Sequence, residues 1–383
     1  MNSRGARIFL GLCLAAALLV AGYVWHVKQR MAEPSAATPA AALPSVPAET
    51  ETLPSMPGPE PEPVSRVDPQ PLQTPASPDT APQTDATPAP PMQRLFFRST
   101  SVDQHYGSVA WVDVARPRTV HYVDSLHCEV VYVAGGHGIC LSAERGVFTT
   151  YAASLFDTRN FKVSGSFPLK GIPSRARVSI DGKLAALTVF VSGHGYTTLD
   201  FSTQTLIVDV QSAAVLADLE DFEVRRDGAV IKAADFNFWG VTFAQDSDTF
   251  YATLGTGQEQ LLIKGSVRER KATVLRTGVE CPALSPDGKR LGFKRRLIEN
   301  GVLSWRIATL DLETLADRLV PGELHSVDDQ VEWLDANHLL YGVSDDEGGL
   351  GGTSVWNVNV DSGPAAVWLR GAYSPSVSLP GQP

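Results

Sequence analysis

The chain has 383 residues, 43% of them apolar, and a formal charge of −10 from 32 Lys and Arg against 42 Asp and Glu. That acidic balance excludes a surface built to follow nucleic-acid phosphates, which needs concentrated Lys and Arg to displace counterions. Four cysteines with no C-x-x-C pair exclude ribbon-type zinc sites and thioredoxin chemistry.

Ile8 to Trp25 runs without a charge for 18 residues, and at 1.5 Å per residue such a helix is about 27 Å long, close to the thickness of a hydrocarbon core. Arg4, Arg7, Lys28 and Arg30 bracket it, and Tyr23 and Trp25 stand where an interfacial belt forms. The stretch is longer than the usual apolar part of a secretory signal and has no small-x-small cleavage site before Trp25. It reads as an uncleaved signal anchor over 8–25, with residues 1–7 a short cytoplasmic tail and the rest of the chain across the membrane.

Residues 26–93 read as a linker. Of the 27 prolines, 17 fall between Arg30 and Pro91, and that interval holds no Phe, Tyr or Trp. It cannot bury enough apolar surface to offset its chain entropy. A Pro-rich tether of this length reaches about 45 Å as a coil and about 190 Å as polyproline II.

From 94 to 383 aromatic residues return and apolar alternation predicts short strands throughout. Cys128 and Cys140 flank a hairpin predicted to turn at Gly135-Gly136, which puts their sulfurs on neighbouring strands. Both a disulfide and two buried thiols fit that placement. A strand, tight turn, strand pattern then recurs. Its clearest copy is Pro282-Ala-Leu-Ser-Pro-Asp-Gly-Lys-Arg-Leu-Gly-Phe293, where proline presets φ and glycine accepts φ > 0. Weaker copies centre on Asp181, Asp246 and Asp335, Ser142 to Tyr151 has the same shape, and the first spacing leaves room for an insertion at Ser192 to Gln204 with part of Glu220 to Ala234. No copy can bury both faces alone, so copies must stack, and a radial stack protects their edges. About 290 residues at roughly 48 per blade give a six-bladed β-propeller. Tyr373 to Leu379 is the expected opening strand of a blade completed by Leu95 to Asp124, so pairing the two ends closes the ring.

Ser285-Pro-Asp-Gly-Lys-Arg-Leu-Gly-Phe293 and its relatives resemble the repeat of TolB-like β-propellers, a class of the bacterial envelope. Gly171 to Val178, Ala234 to Phe243 and Ser326 to Trp333 resemble segments of secreted bacterial TolB-like proteins. The resemblance implies an all-β, six-bladed propeller of the bacterial envelope; with the anchor over 8–25, a monomeric propeller held at the inner or cytoplasmic membrane and displayed in the periplasm or cell wall is expected. The anchor, the tether and the lack of a recognisable N-terminal α/β domain depart from TolB itself, so a Tol-Pal role is not implied.

The sequence has no G-x-S-x-G elbow, H-E-x-x-H, EF-hand loop or Walker A motif, and no cofactor or metal is expected. One pattern falls repeatedly at the start of an innermost strand: Arg175 and Arg177, then Asp235, Asn237 and Trp239, then Glu280, then Asp328, Asp329 and Gln330. These segments should converge on one mouth of the central channel. There they would either form a composite ligand site, by charge-assisted hydrogen bonds and stacking, or pair with one another and plug it. The function expected is a non-catalytic binding or scaffold propeller with an envelope protein or peptide as partner. The competing expectation is an envelope lyase or hydrolase using the same carboxylates and arginines.

Overall fold

The computed structural model describes residues 93–193, 195–196, 201–299, 301–345 and 352–378. The expected tail, anchor and linker lie outside these residues, as does most of the acidic Asp345–Gly352 loop. Among the described residues no helix is long and apolar enough to cross a membrane.

Six sheets, antiparallel apart from one added pair in blade 4, surround a central axis. Their innermost strands are Ala372–Ser378, Val130–Ala134, Ile172–Val178, Asn237–Phe243, Glu280–Leu284 and Glu332–Trp333, opening blades 1 to 6 in that order. Each lies against the next around a closed ring. Blade 1 joins the two ends of the described chain. Ala372–Ser378 pairs with Arg94–Ser99, whose outer neighbours are Ser108–Asp113 and Arg116–His127. Opening the ring requires breaking this ladder.

The turn chemistry seen in the repeats acts in the same way four times. Asp181, Asp246, Asp287 and Asp335 each accept, through Oδ1, the backbone N–H two residues on, from Lys183, Asp248, Lys289 and Asn337. The aspartate side chain replaces a backbone acceptor and fixes the turn locally. In blade 2 this place is taken by Gly135 and Gly136, with φ of 56° and 78°, which suit the two-residue turn joining Val130–Ala134 to His137–Arg145. The hairpin at Ser142 to Tyr151 is therefore the next connection of blade 2, on the opposite face, and not a further copy of the repeat turn.

The expected insertion divides. Glu223–Arg226 and Ala229–Ile231 form a hairpin whose first strand runs parallel to Lys271–Thr277, extending blade 4 to six strands instead of enlarging blade 3. The apolar core lies between blades. Ile139 and Leu155 of blade 2 meet Val178 and Leu187 of blade 3, Phe238 and Phe250 of blade 4 meet Ile207 of blade 3, and Leu95 of blade 1 meets Leu340 of blade 6. Burying such side chains contributes roughly 1.5–3 kcal/mol each. A disulfide joins Cys128 to Cys140, with Cα atoms 5.4 Å apart.

Candidate binding site in the propeller channel

The innermost strands all begin on one face, the inlet, and end on the other, the outlet. Side chains alternate along a strand, so Arg175 and Arg177 of blade 3 both turn toward the axis at successive depths. Near the inlet, Arg175 donates to Asp328 Oδ1 at 3.2 Å and to Ser174 O at 2.9 Å. Lys294, fully buried, donates to the same Asp328 oxygen at 2.5 Å. Asp328 keeps 46% of its side chain exposed; against partial desolvation, Lys294 and Arg175 together hold its carboxyl below the usual aspartate range. Asp329 accepts the Gln330 and Gly342 backbone N–H groups, both at 2.8 Å, and burial pushes its carboxyl up. Gln330 spans two blades by donating to Val241 O and Pro282 O, at 3.2 and 2.9 Å. The space left among these groups is about 20 Å3, room for roughly one water.

Deeper in, Arg177 donates to Glu332 of blade 6 and, at 2.6 Å, to Val331 O. Tyr132 of blade 2 donates its hydroxyl to Glu332 Oε2 at 3.1 Å and stacks on the guanidinium, 4.5 Å from ring centre to Cζ. Val377 N of blade 1 donates to Glu332 Oε1 at 3.3 Å. Burial raises the Glu332 carboxyl above its ordinary value, opposed by Arg177. Four blades thus meet at one buried carboxylate, and the channel is closed across its middle.

Of the nine residues expected at one mouth, Arg175, Arg177, Asp328, Asp329 and Gln330 do meet in the channel. The other four lie beside it. Asp235 is exposed and accepts Gly257 N at 2.6 Å and Thr256 Oγ1 at 2.9 Å. Asn237 accepts Thr203 N at 2.8 Å, tying blade 4 to blade 3. Trp239 is buried among Tyr196, Phe201 and Phe190. Glu280 accepts Arg296 Nε at 2.8 Å and Trp305 Nε1 at 3.2 Å through one oxygen, and its other oxygen has no partner. Asp235 and Glu280 are held by groups of their own blades, and Asn237 and Trp239 by residues of blade 3.

Tyr132, Glu332 and Lys294 are the channel residues missing from the sequence-based set. Tyr132 and Glu332 were legible in principle, since each sits on the same opening strand as the repeat places Arg177. Lys294 was not, because it comes from a second strand.

The roomier opening is at the outlet. A cavity of about 90 Å3 there is lined by all six blades, with Ile180, Gln245, Pro286 and Trp333 around it and Tyr132, Arg177 and Glu332 at its inner end. Trp333 is held by donating Nε1–H to Ala283 O at 2.9 Å. Among the described residues no three His, Cys, Asp or Glu side chains gather closely enough to hold a metal ion.

The fold is similar to that of TolB of Acinetobacter baumannii, at TM-score 0.52 and 15% identity, over 76% of this chain and 67% of that one. The fold is that of a TolB-like six-bladed β-propeller. A protein from Agrobacterium tumefaciens described as TolB aligns at TM-score 0.43 and 9% identity, over 74% of this chain and 90% of that one. Hydrazine synthase of Kuenenia stuttgartiensis aligns at 0.43 and 16%, over 67% and 72%. No family model matches the sequence, and no curated protein matches it. In this TolB-like propeller the inlet is filled by its own charges and the outlet is open.

Proposed function

We propose that this chain is a non-catalytic binding or scaffold propeller of the bacterial envelope, tethered to the membrane through residues 8–25, which receives a segment of a protein or peptide partner at the outlet. The observation that carries the reading is the outlet cavity itself. It is open, is contributed by all six blades, and combines apolar walls from Ile180, Pro286 and Trp333 with a polar floor at Arg177 and Glu332. A few convergent polar groups within an apolar concavity are what orient a ligand. The rigid ring beneath it lowers the ordering cost of binding.

Of the carboxylates that an envelope lyase or hydrolase would use, Asp328 is held by two cations, Asp329 by two backbone amides, and Glu280 by Arg296 and Trp305 through one of its two oxygens. That engagement favours binding over acid-base chemistry.

Cross-linked capture from bacterial cells, with the tagged full chain beside an Ile180→Asp/Gln245→Lys variant, tests the reading. One defined envelope protein held by the parent and lost by the variant is expected. Equal recovery of the same protein by both would remove the outlet as the binding surface.

A further inference from the structure

A second hollow opens on the inlet face, off the axis, between blades 3 and 4. Its volume is about 210 Å3, more than twice that of the outlet cavity and the liquid share of about seven waters. Phe201, at the head of the third strand of blade 3, and Phe236, at the entry to blade 4, line it and stay half-buried. Trp239 lines it too, with Phe201 edge-on to its indole at 5.6 Å. Gly255 leaves room for that indole, since a Cβ there would come within 2.7 Å of the ring. The indole N–H is buried and has no acceptor among the described residues.

The polar wall offers donors and acceptors side by side. Arg296 crosses from blade 5, donating to Glu280 Oε1 at 2.8 Å and to Tyr196 O at 3.3 Å, and its Nη1 stays free among the described residues. Gln260 donates Nε2 to Gln258 O at 3.3 Å, which leaves its Oε1 to accept. The Gly257 N–H and the Thr256 hydroxyl hold the Asp235 carboxyl below the usual aspartate range, so it is an ionised, acceptor-only group. These charges disfavour a charged ligand. Arg296 is already neutralised by Glu280, and Glu259 by Arg226 at 2.9 Å. An anion therefore gains little at Arg296 and meets Asp235, while a cation drawn to Asp235 meets the Arg296 guanidinium. A neutral ligand avoids both costs if it brings acceptors to Arg296 and the indole N–H, donors to Asp235 and Gln260, and an apolar face to the phenyl rings. Sugar hydroxyls donate and accept at once, and the C–H face of a pyranose packs on an aromatic ring by dispersion and leaves water in doing so.

We propose that the pocket between blades 3 and 4 binds one neutral pyranose sugar, its ring against Phe201 and Phe236 and its hydroxyls shared among Asp235, Gln260 and Arg296. A few fixed polar groups set around apolar walls orient such a ligand. The site is separate from the outlet and needs no contact made there.

The chain has 7 tryptophans, so indole N–H signals are few and Trp239 is a local reporter. Indole NMR of the full chain, in a detergent without a sugar headgroup, is followed while glucose, galactose, mannose and N-acetylglucosamine are added in turn. The expected result is a saturable shift of the Trp239 N–H with at least one of them, at a Kd on the order of mM, and no shift of Trp333 at the outlet. Phe236→Ala should weaken binding by about tenfold, the upper end of what one aromatic contact supplies. Unmoved Trp333 and Trp356 signals in that variant show that the fold is kept. Comparing the bound sugar with its linear tetramer separates two sources: equal Kd assigns a free sugar, and tighter binding of the tetramer assigns a glycan chain. No Trp239 shift with any of the sugars overturns the proposal. So does a shift undiminished by Phe236→Ala, or one matched by acetate, tetramethylammonium or alanine, because the pocket then takes a charged ligand. The outlet variant Ile180→Asp/Gln245→Lys should leave the Trp239 shift in place, so failure of either reading is separable from the other.

Discussion

Replacing Arg177 with methionine removes the cation from a pair whose side chains keep only 6% and 9% of their surface exposed. The volume is nearly conserved, so the loss is electrostatic. Glu332 would be left with Tyr132 and Val377 N as donors and no counter-charge. Breaking one partner of a buried pair typically costs about 3–5 kcal/mol, which in a domain this large lowers Tm by on the order of 10 °C. Glu332 already has its carboxyl raised by burial, against Arg177. Without Arg177 that value rises further above the unfolded one, so the folded state binds the extra proton. Stability of the variant should therefore improve as pH falls from 8 toward 5, where the neutral acid replaces the unpaired charge. Adding Glu332→Gln, which keeps an acceptor for Val377 N, should restore most of the loss at pH 8. Urea unfolding of parent, single and double variants at both pH values measures all of this. A penalty for Arg177→Met below about 1 kcal/mol, or one that is the same at pH 5 and pH 8, would refute the view that this pair holds the channel closed.

Three shorter expectations accompany it. Truncation before Ala372 removes the innermost strand of blade 1, and should abolish cooperative unfolding and expose the whole propeller to limited proteolysis. Reducing the Cys128–Cys140 bond, which closes a separation of 12 residues, should cost up to about 3 kcal/mol, and Cys128→Ser/Cys140→Ser should make stability insensitive to reductant. Asp287→Asn addresses acid unfolding. The Ser285 hydroxyl and the Lys289 N–H hold the Asp287 carboxyl below its unfolded value, so its contribution is present above about pH 4 and is lost as pH falls through the folded value. The variant should show a shallower loss of stability between pH 4 and pH 2 in thermal melts, and an unchanged slope would assign that loss to other carboxylates.

How far the sequence could be read depended on the range of the interaction. The turn aspartates were legible because an Asx turn is a contact within three residues, and Ser285-Pro-Asp-Gly288 spells it out. Ring closure was legible because Tyr373 to Ser378 reads as the opening strand of a blade, and the strands from Leu95 onward lack an opening strand of their own. The composition of the channel was only half legible. Strand alternation sends Arg175 and Arg177 inward, but Glu332 and Lys294 come from other strands, and their pairing depends on the angle between blades, which no local pattern encodes. Asp235 shows the opposite error. It occupies the expected repeat position, yet the Gly257 N–H and Thr256 hydroxyl capture it before it can reach the axis.

The same reasoning bears on which mouth is used. Residues leading into innermost strands are constrained in register and readily found in sequence, but in this ring they spend their charge on one another: Asp328 on Arg175 and Lys294, Asp329 on the backbone of blade 6. A partner at the inlet would have to replace contacts that already satisfy the buried Arg175, Lys294 and Asp329, at a cost of several kcal/mol per ion. At the outlet it displaces water from Ile180, Pro286 and Trp333 and need only meet a floor whose charges remain paired. Variants at the two mouths should therefore separate. Asp328→Asn, at the inlet, should lower stability and leave partner capture intact, whereas Ile180→Asp should do the reverse. If Asp328→Asn abolished capture while the outlet variant bound normally, the direction of approach argued from these pairings would be wrong.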